Sequence, residues 1–291
     1  MLGSMVFNYL SKNSDFNVYG TVRNPKFLLE KLLLFDANEL SQLENEKFLQ
    51  LKLDFIINCI GITKPFCRDE DPKGVERAIK INTEFPWKLS KYSMRNDIKV
   101  IQIATDCVYS GKRGNYNEDD IHDPLDVYGK TKSLGEVFDG SILNIRCSII
   151  GPEFKQNKSF LFEWFLNQPY KGTIGGYEHH IWNGVTTLQF AQLCEKIIDI
   201  NSYDDLLKLS HIHHYIPNNT VIKYQLMQIF NKVFGKELKI NKVNIPEELI
   251  DRTLTSKYPE LDKLSHKSVM KEAIFELKKY IDNCEIYNYK V

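Results

Sequence analysis

Val100-Ile101-Gln102-Ile103-Ala104 is a β-rich run that ends on Thr105-Asp106-Cys107, and 23 positions after Thr105 comes Tyr128-Gly129-Lys130-Thr131-Lys132. The first stretch reads as a buried strand and the second as the opening of a helix over 128–137, with the next strand at Ile142–Arg146. The same alternation extends in both directions. Upstream, Leu2, Met5, Val6, Tyr9 and Leu10 mark one face of a helix. Strands are predicted over 17–22, 32–35 and 55–60, a helical stretch over 38–49, and a long helix over 74–94. Most of these strands are apolar throughout, as in a parallel sheet covered on both faces. The fold class is therefore α/β, a doubly wound parallel sheet. Beyond Gly151 the alternation loosens, with helices predicted over 159–167, 186–200, 220–234 and 266–281. Two regions are expected: a nucleotide-binding domain over 1–150, and a smaller α/β substrate-binding region over 151–291 whose segment near 184–205 returns to the first.

The 291 residues carry 38 Lys+Arg against 38 Asp+Glu, so no global basic field exists to hold nucleic acid or an anionic membrane. At 43% hydrophobic and 26% charged, the composition excludes a disordered or collagen-like chain. The six cysteines include no C-x-x-C pair, which argues against a disulfide framework or structural zinc and for a reducing, cytoplasmic setting. No run approaches the ~18 apolar residues of a membrane span. His211-Ile212-His213-His214 lacks a matching acidic or Cys cluster, so no metal is expected; a half-exposed strand explains it better.

Tyr128 and Lys132 are four residues apart and share a helix face. A nearby ammonium favours phenolate and lowers the pKa of a tyrosine, which suits proton transfer to a carbonyl oxygen. Thr105, at a strand's carboxyl end where ligands of open α/β sheets bind, could hydrogen-bond the same oxygen. Spacing alone is a weak signal for this pair; its placement inside a βαβ chain strengthens it.

The run Ala104–Gly111, then Gly114–Asp119, Pro124 and Tyr128–Glu136, resembles the extended short-chain dehydrogenase/reductases, and among them the dTDP-4-dehydrorhamnose reductase type. Asn58–Gly61, Ile81–Glu84, Arg146–Gly151 and Asp251–Ser256 extend the likeness in one register. The resemblance implies a Rossmann-like domain binding NADP(H), a nucleotide-diphosphate sugar as substrate, and reduction of a 4-keto group in surface polysaccharide or glycan precursor synthesis. It implies that Tyr128 donates the proton, Lys132 lowers its pKa and holds the nicotinamide ribose, and Thr105 orients the keto oxygen. Gly3, Cys59 and Gly61 would line the cofactor, Arg23 would meet the 2′-phosphate, and Asp36 would face the adenine or serve its loop. Asn82 would support the catalytic strand. Cys107, Trp182 and Arg252 would contact substrate. A homodimer is considered; no nucleic-acid or membrane partner is expected.

Two departures stand out. Met1-Leu2-Gly3 resembles the last third of the family's glycine-rich turn, whose first two glycines and preceding strand are absent from this sequence. That strand would lie mid-sheet, between those at 17–22 and 55–60. A start placed too late, or a chain short in fact with weakened cofactor binding, are the two expectations. Cys107 stands where rhamnose-type reductases commonly carry Tyr. It matches the Thr-x-Cys of the bifunctional 3,5-epimerase/4-reductases, for which His179 and His180 are candidate basic partners. A buried small Cys is the plainer alternative. A non-catalytic NADP-binding regulatory subunit, resembling the β subunit of methionine adenosyltransferase, is the alternative outside the enzymes.

Overall fold

A computed structural model describes residues 1–28, 30–45, 48, 50–154, 158–265 and 267–284. The first helix, α1 (Leu2–Asn13), buries Leu2, Met5, Val6 and Leu10, the face set by the apolar spacing. Strands β1 (Gly20–Val22) and β2 (Leu32–Leu34) pair in parallel. Three further parallel strands follow: β3 (Phe55–Asn58), β4 (Lys99–Ala104) and β5 (Ile142–Arg146). The predicted helix over 74–94 is α2 (Pro72–Ala78), a π-helical segment Ile79–Glu84 and α3 (Phe85–Arg95) run together. Of the stretch predicted helical over 38–49, the described part forms only a 3-10 turn, Leu40–Glu44; residues 46, 47 and 49 lie outside the described set. Helix α4 (Val127–Leu134) carries Tyr128 and Lys132.

The second half adds β6 (Ile149–Ile150), α5 (Leu161–Leu166), β7 (Thr173–Tyr177), β8 (His180–Trp182), β9 (Val185–Thr186), α6 (Thr187–Asp199) and α7 (Tyr203–Leu209). After them come β10 (Ile212–His214), β11 (Val221–Ile222), α8 (Lys223–Phe234), β12 (Lys239–Val243), β13 (Ile250–Asp251), α9 (Glu260–Leu264) and α10 (Met270–Asp282). Strand β10 joins the main sheet, whose order is β10-β5-β4-β3, all parallel. Helix α6 packs into the core formed with α1, and Tyr9 donates to Glu195 at 2.8 Å. Strand β8 pairs with β11 and β13. No helix among the described residues is long and apolar enough to cross a membrane.

The parallel sheet is broken. Strands β1 and β2 form one piece, β3 ends the other, and no strand among the described residues joins them. Burial tracks the break: β5 is wholly buried, whereas Phe55, Ile56 and Ile57 of β3 are half-buried. Helix α1 spans it. A Cβ at Gly3 would lie 3.4 Å from Cys59 Cβ, and one at Gly20 would lie 2.9 Å from the Phe7 ring.

The strands are less apolar than expected. Asn58, Gln102 and Asn144 face each other in register across β3, β4 and β5. Asn58 Nδ2 donates to Gln102 Oε1 at 2.9 Å, and Gln102 Nε2 donates to Asn144 Oδ1 and to Gly135 O, both at 2.8 Å. These amides are buried and need such partners. Their last link fastens the end of α4 to the sheet.

Candidate active site

Thr105 emerges from the end of β4 and caps the 3-10 turn Asp106–Val108. Its Oγ1 accepts from Cys107 N–H at 3.2 Å and its hydroxyl donates to Asp106 Oδ1 at 3.2 Å. The next wall is α4, whose N-cap Asp126 accepts from Gly129 N–H at 2.8 Å and pairs with Lys64 at 2.7 Å. Gly129 permits the approach: a Cβ there would lie 2.2 Å from the Cys107 carbonyl oxygen. Tyr128 is thereby brought against Thr105 and Cys107. Burial, then Cys107, raise the pKa of its phenol, and the Thr105 side chain acts to lower it.

Lys132 is tied to β4, the strand that leads into Thr105. Its Nζ donates to the Ile103 carbonyl at 2.8 Å, and burial brings the ammonium down to about 8. The Tyr128 phenol is raised overall, because desolvation of a phenolate outweighs the nearby donors. Behind Lys132 stands Cys59, whose thiol burial pushes up to about 12.

Of the residues expected around a dinucleotide, Gly3, Cys59 and Gly61 gather near the ends of α1 and β3. Gly3 abuts Cys59, and a Cβ at Gly61 would lie 3.4 Å from Asn82 Oδ1. Gly3 lies in the first turn of α1, the helix end whose backbone N–H groups suit a pyrophosphate. Arg23 is exposed just past β1, on the far piece of the sheet. Asp36 accepts from Asn38 N–H at 3.0 Å and from its amide at 2.8 Å, a local loop role. Asn82 holds not the catalytic strand but the loop after β3 and α4: it exchanges hydrogen bonds with Ile62 N–H and O at 2.7 and 2.9 Å and donates to Thr131 Oγ1 at 3.1 Å.

Of the residues expected to contact substrate, Arg252 Nε donates to the Tyr109 carbonyl at 2.9 Å and acts electrostatically on both Cys107 and Asp126. Trp182 is buried in β8, and Lys223 Nζ sits 5.0 Å from its ring centroid. Of the two histidines considered as basic partners, His179 is buried and its Nδ1 accepts from Ile245 N–H at 3.0 Å, which commits it to structure. His180 is half-buried, with its pKa lowered by burial, His179, Lys223 and Arg252.

Sequence reasoning missed Lys223, and it missed a buried polar cluster beneath the site. Arg146, 1% exposed, gives Nε and Nη2 to Glu136 at 2.8 and 2.7 Å and Nη1 to Tyr109 Oη at 2.7 Å. It also meets His214 Nε2 at 3.1 Å and His122 Nε2 at 2.7 Å. Arginine only donates, so both imidazoles accept at Nε2 and carry their proton on Nδ1. Those protons go to Thr255 O and Ser133 Oγ, each at 2.7 Å. The predicted half-exposed histidine strand is thus corrected: β10 is buried along its length, because the sheet and Arg146 cover it. No metal-binding cluster occurs among the described residues.

Comparison with known proteins accords with this geometry. Residues 1–149 match the family described as the RmlD substrate binding domain, and the chain belongs to that family. It is 26% identical over 136 residues to the methionine adenosyltransferase 2 subunit beta of Bos taurus, a match spanning 47% of this chain and 39% of that protein. It is 26% identical over 248 residues to the dTDP-4-dehydrorhamnose reductase of Aggregatibacter actinomycetemcomitans, 80% of this chain and 79% of that enzyme. The fold matches the dTDP-4-dehydrorhamnose reductase from Bacillus anthracis, solved in complex with NADP, at TM-score 0.71 and 16% identity over 96% of this chain and 95% of that one. The α/β, Rossmann-like parallel sheet and the likeness to dTDP-4-dehydrorhamnose reductases expected from the sequence are borne out.

Proposed function

We propose that the chain is an NADPH-dependent reductase of the 4-keto group of a nucleotide-diphosphate-linked 4-keto-6-deoxy sugar, acting in polysaccharide or glycan precursor synthesis. Residues 1–150 hold the cofactor and 151–291 the substrate, with the segment near 184–205 returning to the first region. The carrying observation is the meeting of Thr105, Cys107 and Tyr128 at the carboxyl end of β4, with Lys132 buried behind them.

The cofactor supplies hydride, and Gly3, Cys59, Gly61 and Arg23 are the residues that hold it. A raised pKa keeps the Tyr128 phenol protonated at neutral pH, the form that can donate to a carbonyl oxygen as charge develops there. Thr105, one of its lone pairs engaged by Cys107 N–H, turns its hydroxyl from Asp106 to the same oxygen. Lys132, one turn further along α4, holds the nicotinamide ribose and favours the phenolate that proton donation leaves. Arg252 and Trp182 serve the substrate's nucleotide-bearing end.

Tyr128→Phe removes the donor while keeping the ring. Turnover is expected to fall roughly 10²–10⁴-fold, with NADPH affinity unchanged. Unchanged turnover on a competent 4-keto sugar nucleotide rejects the mechanism. A second reading, the 3,5-epimerase/4-reductase, is favoured by Cys107 at the phenol; it predicts solvent deuterium at the carbon beside the keto group, lost in Cys107→Ser. Stable co-purification with a partner enzyme, without reductase activity, supports the regulatory-subunit alternative.

A further inference from the structure

Phe27 and Phe154 stand on loops that leave different strands, yet their rings meet edge to face with centroids 6.1 Å apart. Phe27 closes the 3-10 turn Pro25–Phe27, which follows β1 and Arg23. Phe154 follows β6, which begins just past the end of β5. These strands climb toward one rim. Gly3, at the start of α1, lies against Cys59 just past β3, and Phe7, one turn further along, meets Gly20 at the start of β1. The carboxyl ends of β1, β3, β4 and β5 therefore share the rim that carries Gly3, Cys59, Gly61 and Thr105. Because β3 and β4 stand between β1 and β5, about 10 Å or more of that rim separates the two loops. The phenyl pair bridges it. Both arms have firm bases. Asn24 Oδ1 accepts from Lys26 N–H and Asn24 O from Phe27 N–H, each at 3.0 Å. Buried Glu153 gives its N–H to Glu163 Oε1 at 2.7 Å, and its own Oε1 accepts from Ser159 and Phe160 N–H at 2.8 and 2.7 Å. The rings themselves are only half covered, Phe27 51% and Phe154 49% exposed. A single aromatic pair favours contact over separation only about two- to tenfold, so this bridge opens and shuts readily between fixed supports. The exposed half of each ring is apolar surface that a molecule seated along the rim takes from water.

We propose that Phe27 and Phe154 form a clasp over the dinucleotide, closing across the bound cofactor and parting for its exchange. This rests on the cofactor reading above. The clasp slows release by keeping the rim covered, and the bound cofactor in turn favours the closed state by burying the rings. Phenyl rings carry no charge, so the clasp holds NADPH and NADH alike and leaves recognition of the 2′-phosphate to Arg23.

Release rates test the clasp on the intact chain. NADPH and NADH are each bound, then chased with excess oxidised cofactor in a stopped-flow instrument while the fluorescence of the reduced form is followed. Phe27→Ala and Phe154→Ala are each expected to speed release of both cofactors roughly tenfold. The double variant is expected to release no faster than either single one, because one contact serves both rings. Urea midpoints are expected to stay at the parent's value, since both rings are half-exposed, and Phe27→Leu is expected to fall between Phe27→Ala and the parent in release rate. Unchanged release, multiplied effects in the double variant, or faster release of NADPH alone overturns the clasp. Multiplied effects would mean two separate cofactor contacts, and an effect on NADPH alone would mean a displaced Arg23. NADPH binding with all variants releasing at the parent's rate rejects the clasp and leaves the reductase reading standing. A parent chain that binds neither cofactor rejects the reductase reading and the clasp with it.

Discussion

Arg146 and Glu136 form a two-pronged ion pair, at 2.8 and 2.7 Å, with both side chains almost wholly removed from water. One comes from the end of β5 and the other from just beyond α4, so the pair locks the helix carrying Tyr128 to the strand beside β4. Removing one partner leaves the other charge buried and alone. Glu136→Gln should therefore cost about 3–5 kcal/mol of stability. The double replacement Glu136→Gln with Arg146→Met should cost much less than the sum of the two single changes. Urea denaturation of the four proteins measures this, and additive losses would show that the two side chains act independently.

The same cluster makes stability depend on pH. Burial, partly opposed by Glu118, brings His214 down to about 4, against 6.5 for an ordinary imidazole. Burial likewise lowers His122. A depressed histidine binds fewer protons folded than unfolded, so its contribution to stability is complete above pH 6.5. It is lost as the pH falls toward 4. For His214 alone the loss approaches about 3 kcal/mol at the acid end. The urea midpoint should fall steeply as the pH drops below 6.5. In His214→Gln, which cannot titrate, the fall between pH 7 and 5 should be visibly smaller; an identical profile would remove His214 as the cause.

Much of the frame could be read from local pattern, because the strands and helices that build it are patterned over five or more residues. The period of Leu2, Met5, Val6 and Leu10 located α1, and the runs at 100–104 and 142–146 located the two central strands. Thr105, Cys107, Tyr128 and Arg252 were legible because they lie in ordered stretches that resemble a known set. Other features depend on partners far away in sequence. His213 and His214 look like polar residues on an open strand until Arg146, 68 positions before His214, is brought against His214, and the Leu206 and Ser210 carbonyls against His213. Asn82 sits in a π-helical segment that leaves the apolar pattern of its helix intact, so its turn toward Ile62 has no local signature. Strand β7 carries Gly175 and Gly176 in place of an apolar run, and the seven-residue α7 is too brief for helical periodicity to register. Lys223 did carry a signal: a basic residue opening a helix where acids are favoured.

Gly129 offers a test of how closely the site depends on backbone approach. An alanine methyl would lie 2.2 Å from the Cys107 carbonyl oxygen and 2.7 Å from Pro124 Cβ, so α4 must move away from the turn that follows Thr105. Gly129→Ala is expected to cost about 1–3 kcal/mol. Displacing Tyr128 from Thr105 by even 1 Å should lower turnover roughly 10²-fold. Gly235→Ala is the control. Gly235 has φ +62° and open space around it, so alanine there should cost about 1 kcal/mol and leave turnover alone. Equal effects on turnover from the two changes would mean that the Gly129 contact is not what sets the geometry.

The break in the parallel sheet has its own consequence for dynamics. In a continuous sheet, β1 and β3 would be flanked on both sides and their amides would exchange slowly. Here β1 pairs only with β2 and β3 only with β4 among the described residues, leaving one edge of each without ladder hydrogen bonds. Half-burial of Ile56 and Ile57 shows that solvent reaches the β3 edge. Helix α1 covers the break through the contacts of Gly3 with Cys59 and of Phe7 with Gly20, but a helix supplies no backbone partner to a strand. Amides in 20–22 and 55–58 should therefore exchange at least tenfold faster than those in 142–146, which lie between β4 and β10. Hydrogen–deuterium exchange read by mass spectrometry resolves these segments. Equal protection in all three would mean that the two sheet pieces are bridged in solution. Selective slowing of 20–22 and 55–58 on adding NADPH would place the cofactor across the break, next to Gly3 and Cys59.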